Sequence, residues 1–390
     1  MIEVSVAERL VDRYLATGCE VSDFLHQTPE IGFEEVLSSA RIVEELRAGG
    51  AVVSSPEWGL PTAFLTETGS GSRCIALFSE FDALPDVGHA CGHNLIAAWS
   101  LVSYLALHDL GDELGIRVRL IGSPAEESGA GKQLIIDRGG LEGVDHAVMV
   151  HPAPHTVLLP NILAMSRFHA SYGGVEAHAA AFPWHGRNAG DAATVAHVAI
   201  GLLRQQLTPD DRVHTLHQGE SGAVNVITDR AVMECMVRSH EDQSLAQLKE
   251  RVQNCFRAGA LAAETTLELA DAAPDYGAMR HDLSLAATFR EAAREAGISF
   301  PEDENMLAGG SGLVKISTDM GNVSRQVPAI HPMVAIPTSA VNHQRAFADA
   351  CTGIQAENWI RRTALATVLF ASRLANDRPS SPSAQKRASM

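Results

Sequence analysis

Three short apolar runs constrain this chain more than anything else in it. Residues 74–79 (CIALFS), 116–123 (IRVRLIGS) and 147–150 (AVMV) read as buried strands, and each hands over at its carboxyl end to chemically active side chains. Asp82, Cys91 and His93 follow the first, Glu126 and Glu127 the second, and His151 closes the third. Open α/β sheets put their ligands outside the carboxyl ends of the strands. Independent loops seldom converge like this by chance, so the runs are expected to share one sheet with a site along one edge.

Helical patterns at about residues 5–17, 34–48, 94–108 and 132–138 alternate with these runs, which predicts an α/β layer with a mainly parallel sheet. From about 164 to 273 the rhythm changes to a strand, a long helix (189–206), three strand-like runs (213–218, 224–228, 231–239), a second long helix (245–263) and a last strand (265–269). This reads as an inserted α+β unit. The α/β pattern resumes with a helix at 283–296, a strand at 333–336 and a helix at 349–374. The expected organisation is therefore a discontinuous α/β domain with a mixed sheet, made of residues 1–164 and 274–375, interrupted by a unit at 165–273. The tail at 376–390 has too little apolar content to fold.

Composition removes several classes of function. A net charge of −17 repels phosphate backbones and anionic lipid heads, so neither nucleic acid nor a membrane surface is an expected partner. No apolar run reaches the ~18–20 residues needed to cross a bilayer. The opening MIEVSVAERL lacks the basic start and apolar middle of a signal peptide, which makes the cytoplasm the expected address. The cysteines are too sparse for a disulfide framework. Cys19, Cys74, Cys235, Cys255 and Cys351 read as small buried thiols, with Cys91 the exception.

Cys91 lies in SEFDALPDVGHACGHN (79–94), with Glu80, Asp82, Asp86, His89 and His93. Thiolate, imidazole and carboxylate together suit a borderline-soft divalent ion such as Zn²⁺, and Gly88 and Gly92 let the loop turn tightly enough to aim them at one point. The alternative is a polar loop with a buried thiol and capping carboxylates. In SPAEES (123–128), two adjacent carboxylates at a strand end repel each other unless a cation or a shared proton relieves them. Glu126 and Glu127 therefore suggest a base beside a metal ligand. A single His at a strand end is more often a packed residue, and only the convergence of the three strand ends makes His151 a ligand candidate.

FDALP, HACGH, PAEE, His151 and GGVEAHAAAFPWHGRNA together resemble the M20 metallopeptidases, within the amidohydrolases that include N-acyl-amino-acid and aminobenzoyl-glutamate hydrolases. The likeness spans about residues 5–375. GHACGHN with STDMGN (317–322) looks more like the aminoacylase-1-like protein 2 branch than the plant auxin-conjugate hydrolases. The resemblance implies a di-metal catalytic domain, two divalent ions per subunit (Zn²⁺, with Mn²⁺ or Co²⁺ as alternatives), and hydrolysis of an amide joining an acyl or aryl group to an amino acid.

Residue by residue, it implies that Cys91 bridges the ions, that His93, Glu127 and His151 are further ligands, that Glu126 is the general base and that Asp82 orients a ligating imidazole. The last ligand is His343 or His331, with His343 favoured and His331 then placed in the substrate pocket. The inserted unit becomes a lid and homodimer interface. Its His178 would reach the partner's site to stabilise an oxyanion, and Asn225 would help grip substrate. The alternatives are a dipeptidase, release of an amine from a small aromatic compound, or a binding protein with a dead centre. The complete set of ligands and base argues against the last. GSGSR (69–73) and GGSG (309–312) lack the Lys-Ser/Thr of a phosphate loop.

Overall fold

The computed structural model describes residues 1–220, 222–301 and 316–376, so the GGSG run and the tail beyond Asn376 lie outside the described residues. The chain opens with helices α1 (Val4–Gln27) and α2 (Val36–Ala48). On α1 the buried residues Ala7, Val11, Gly18, Val21 and Leu25 recur every three, four or seven positions, which gives one apolar stripe turned toward the core. Strands β1 (Val53–Ser54), β2 (Phe64–Thr68) and β3 (Cys74–Ser79) follow, then α3 (His93–His108), β4 (Arg117–Gly122), α4 (Gly131–Asp137) and β5 (His146–Val148). Every residue of β3 is buried, as expected of a central strand covered on both faces. α3 is buried from His93 to Leu107, so its sequence shows little amphipathic contrast.

These strands form a six-stranded sheet in the order β1-β2-β4-β3-β5-β11, where β11 is Ala329–Ile330. β4, β3, β5 and β11 run parallel, while β2 pairs antiparallel with both β1 and β4. The sheet is mixed, as expected. One local reading changes. His151 does not close the strand of AVMV; it is the first residue of β6 (His151–Ala153), which pairs in parallel with β12 (Met333–Ala335) as a separate two-stranded ribbon. Pro152 lies inside that ribbon, and its missing N–H fits a short two-stranded edge better than the middle of a larger sheet.

Residues 164–271 carry an antiparallel sheet of their own, ordered β10-β7-β9-β8: β7 Ala164–Gly173, β8 Arg212–Glu220, β9 Arg230–Ser239 and β10 Thr266–Asp271. Helices α5 (Ala189–Leu203) and α6 (Asp242–Ala263) pack on it around a core that includes Phe168, Tyr172, Met233 and Phe256. The strand expected at 224–228 is absent. Val224 is fully exposed and Val226 makes a single bridge to His178, so the alternating Val-Asn-Val-Ile-Thr is a surface turn. β-Branched residues favour strands only where a neighbour covers them. Where the chain enters and leaves this unit, Met165 and Tyr276 exchange both backbone hydrogen bonds, at 2.9 and 2.8 Å. Helices α7 (Leu283–Glu295), α8 (Met320–Val323), α9 (Arg345–Ala350) and α10 (Gly353–Asn376) complete the outer layer. No described helix is long and apolar enough to cross a membrane.

Candidate metal centre

The strand ends do converge. From the loop after β3 come Cys91 and His93, from the turn after β4 Glu126 and Glu127, from β6 His151, and from the segment before α9 His343. Glu126 groups with Glu80 and His93, and the other five donors form two groups of three, each within 4.8 Å: Cys91 with His93 and His151, and Cys91 with Glu127 and His343. Cys91 is common to both. Its Sγ lies 3.6 Å from His151 Nε2, and His343 Nε2 lies 3.6 Å from a Glu127 oxygen. Gly92, between the first two donors, has φ +84°, and a Cβ there would meet the Pro152 ring at 2.5 Å. Only glycine gives both the turn and the close approach.

His93 and His151 are held with their Nε2 atoms facing the centre. His93 Nδ1–H donates to Asp82, 3.0 Å to its Oδ1 and 3.0 Å to its carbonyl, and His151 Nδ1–H donates to the Pro152 carbonyl at 2.7 Å. Partners of this kind fix tautomer and ring orientation at metal sites. The second Asp82 oxygen accepts the Glu127 N–H at 2.9 Å, so one buried carboxylate aligns two of the donors.

These groups satisfy the chemical test for a pair of divalent cations. His93 Nε2 and Glu127 Oε1 are buried without hydrogen-bond partners among the described residues, although buried polar atoms normally have one. Burial, then Glu127, pushes the Cys91 thiol well above its usual range; burial, then Glu80 and Glu127, does the same to the Glu126 carboxyl. Burial also raises the Glu127 carboxyl and lowers His151 to about 4. A crowd of buried acids is stable only when positive charge joins it.

His331 lies apart from both groups. It is fully buried, hydrogen-bonds the Met149 carbonyl through Nδ1 at 3.1 Å, and presents its ring edge-on to His151 with centroids 5.5 Å apart. It does not line the neighbouring cavity, and its Nε2 is buried without a hydrogen-bond partner among the described residues. His178 and Asn225 lie close to each other on the surface of the 164–271 unit. The Ala179 N–H donates to the Asn225 carbonyl at 3.0 Å, and His178 Nδ1 accepts from the N–H groups of Ala180 (3.2 Å) and Ala181 (3.1 Å). Neither lines the cavity of its own chain.

Beneath the donors is a network that the sequence did not reveal. Lys132 Nζ is completely buried between Glu80 and Asp319, and its backbone N–H donates to the second Asp319 oxygen at 2.9 Å. The other Glu80 oxygen is 3.4 Å from His93 Nε2. Burial opposes the charge on Lys132, but Asp319 and Glu80 outweigh it and raise the ammonium above its usual value; burial lifts Asp319 to about 6. Asp319 belongs to STDMGN, so that motif contributes a buried countercharge. A buried Lys directly after a Gly-rich turn was the only available signal.

Glu126 and Glu127 sit in a turn bounded by two alanines in the left-handed region, Ala125 (φ +56°) and Ala130 (φ +52°). Each costs roughly 1–2 kcal/mol in that conformation. The turn opens on a cavity of about 450 Å³ whose walls include Leu84, Met165, Met236, Met333 and Arg238. Arg238 Nε is buried there without a hydrogen-bond partner among the described residues.

Comparison with known proteins agrees with this geometry. The model for peptidase family M20/M25/M40 matches residues 76–349. The chain is 33% identical over 386 residues to the Xaa-Arg dipeptidase of Mus musculus, covering 95% of this chain and 88% of that one. It is 30% identical over 274 residues to one of the polypeptides of the p-aminobenzoyl-glutamate hydrolase of Escherichia coli strain K12, covering 64% of this chain and 56% of that one. A solved dinuclear metal binding peptidase of the M20 family from Bacillus subtilis superposes with a TM-score of 0.66 over 92% of this chain and 98% of that one; at 20% identity this likeness is one of fold. With the matched segment spanning most of the chain and carrying every donor, the protein belongs to peptidase family M20/M25/M40 and is a metal-dependent amidohydrolase.

Proposed function

We propose that the chain hydrolyses the amide bond of an N-acyl or N-aroyl amino acid, or of a similar small conjugate that bears a carboxylate. The observation that carries this reading is the pair of donor groups sharing Cys91, set at one end of a cavity with methionine walls and a buried Arg238 Nε that has no partner among the described residues. The apolar walls suit an acyl or aryl group, and a guanidinium in such surroundings seeks an anion. Cys91, His93 and His151 would hold one divalent cation, and Cys91, Glu127 and His343 the other. The thiolate favours Zn²⁺, with Mn²⁺ or Co²⁺ as alternatives.

When bound, such a pair supplies Lewis-acid polarisation of the scissile carbonyl and makes water more acidic. Glu126 takes a proton from the attacking water as the C–O bond forms. It then returns that proton to the nitrogen as the C–N bond breaks, leaving a carboxylic acid and an amine. Asp82 keeps His93 and Glu127 oriented throughout.

The chain is further proposed to act as a homodimer paired through the 164–271 unit. Val195, Val198 and Leu202 form an exposed apolar stripe on α5, and β8 is an edge strand with Leu216 exposed. Pairing there would let His178 serve the partner's site. The deciding experiment measures liberated amine from metal-reconstituted protein with N-acyl amino acids, dipeptides and aryl amides lacking a carboxylate. Turnover confined to the carboxylate-free amides would contradict the proposal. Preference for unblocked dipeptides would move the substrate toward that of the Mus musculus relative.

A further inference from the structure

The turn that carries Glu126 is held almost entirely from outside itself. The Ala125 N–H donates to Glu35 Oε1 at 2.8 Å, and the Glu127 N–H donates to Asp82. The Ser128 carbonyl accepts from Arg167 at 2.9 Å, the Ala130 N–H donates to the Tyr276 hydroxyl at 3.1 Å, and that hydroxyl donates in turn to the Glu126 carbonyl. Within the turn, only Gly129 N–H to the Ala125 carbonyl, at 2.8 Å, is a local bond. Glu35 and Tyr276 are both buried, and they grip the two residues whose left-handed backbone an alanine ordinarily avoids. Glu35 is itself anchored by Thr62 Oγ1 at 3.0 Å. Tyr276 stands at the crossing into the 164–271 unit, paired through its backbone with Met165.

We infer that Glu35 and Tyr276 are positioning residues that hold the Glu126 carboxylate from opposite ends of its strained turn, with Tyr276 tying that turn to the crossing between the outer domain and the 164–271 unit. Strained backbone persists only where surrounding contacts over-determine it. Four side chains converge on six residues here, and two of them sit at the strained positions. Loss of either end should let the turn relax and carry Glu126 away from the reacting water. A displacement of about 1 Å can cost up to about 10²-fold in rate.

This inference rests on the reading of Glu126 as general base, and its test separates the two. The proteins compared are wild type, Y276F, Glu35→Leu and Glu35→Gln, each with Glu126 intact and with E126Q. Y276F and Glu35→Leu should each lower kcat by about 10-fold, with KM within about 2-fold and metal content unchanged. In the E126Q background the same changes should alter residual turnover by less than about 2-fold, because residues acting through one group are non-additive. Glu35→Gln keeps an oxygen to accept the Ala125 N–H and should retain near-normal kcat.

A second readout needs no turnover. Hydrogen exchange in the metal-free protein should speed up across residues 125–130 in both variants, including the end of the turn that the mutation does not touch. If one variant fails to fold, the other carries the same test. Unchanged kcat, an equal loss in the E126Q background, or exchange confined to the mutated end would overturn the inference. Near-normal turnover in E126Q alone would instead overturn the assignment of the base.

Discussion

Two loops carry the functional histidines expected of this chain, and the structure treats them in opposite ways. The loop around His93 is buried, and its backbone and side chains are fixed by Asp82, Gly92 and the Pro152 ring. The loop around His178 is exposed, and among the described residues the hydrogen bonds to its ring come from its own neighbours Ala180 and Ala181. A site completed within one chain can be over-determined by that chain. A group intended for another chain has to wait on the surface, held by local bonds. In the proposed homodimer, the comparison separates residues that should act in their own subunit from those that should act in a partner.

The largest effect should come from the buried side of this comparison. Glu126→Gln is expected to fold, keep its cations and lose about 10²–10⁴-fold in turnover. Steady-state kinetics with parallel metal analysis checks this, and near-normal turnover would move the base elsewhere. On the exposed side, His178→Ala should leave metal content intact and cost roughly 10²–10³-fold, as for loss of one oxyanion donor. Mixing His178→Ala with Glu126→Gln subunits should recover activity, because one site of the heterodimer then combines an intact Glu126 with the partner's intact His178. Demonstrated subunit exchange without recovery would return His178 to its own chain.

Stability should differ between the two regions as well. Lys132→Met leaves Glu80 and Asp319 facing each other without a cation, and breaking a buried ion pair this way costs about 3–5 kcal/mol. Thermal unfolding should show a clear drop, while a surface pair such as Arg257 with Glu250 should contribute at most ~1 kcal/mol. A further effect is a pH dependence. Burial, then Asp82, raises the Glu35 carboxyl from 4.5 to about 7. A carboxyl raised on folding binds its proton more tightly in the native state. Its contribution is fully present below pH 4.5 and is lost as pH rises through about 7. Glu35→Gln should flatten the decline in unfolding free energy over that window by up to about 3 kcal/mol. An identical pH slope would contradict the assignment.

Much of the buried side could be read from the sequence because its chemistry is local. Cys91, His93, Glu126 and Glu127 stand within a few residues of apolar runs whose burial is evident, and strand ends aim their side chains at one edge. The residues that support them could not be read in the same way. Glu35 is 90 residues from the amide it binds, Lys132 is 187 residues from Asp319, and Tyr276 is 150 residues from the carbonyl it reaches. No periodicity reports such pairings. Glu35 also opens a helix in a stretch that reads as an ordinary charged face. The misread strand at 224–228 failed for a related reason: alternation records which residues could face a core, and here no core covers them.

The claim on which everything else depends is that Cys91 joins two cation sites. Metal analysis of reconstituted wild type, Cys91→Ala, His343→Ala and His331→Ala tests it directly. The account predicts two divalent ions per chain in wild type, clear loss from Cys91→Ala with activity lost in parallel, partial loss from His343→Ala, and full content in His331→Ala. Full occupancy and normal turnover in Cys91→Ala would contradict the shared site, and metal lost from His331→Ala but kept by His343→Ala would exchange the roles of the two histidines.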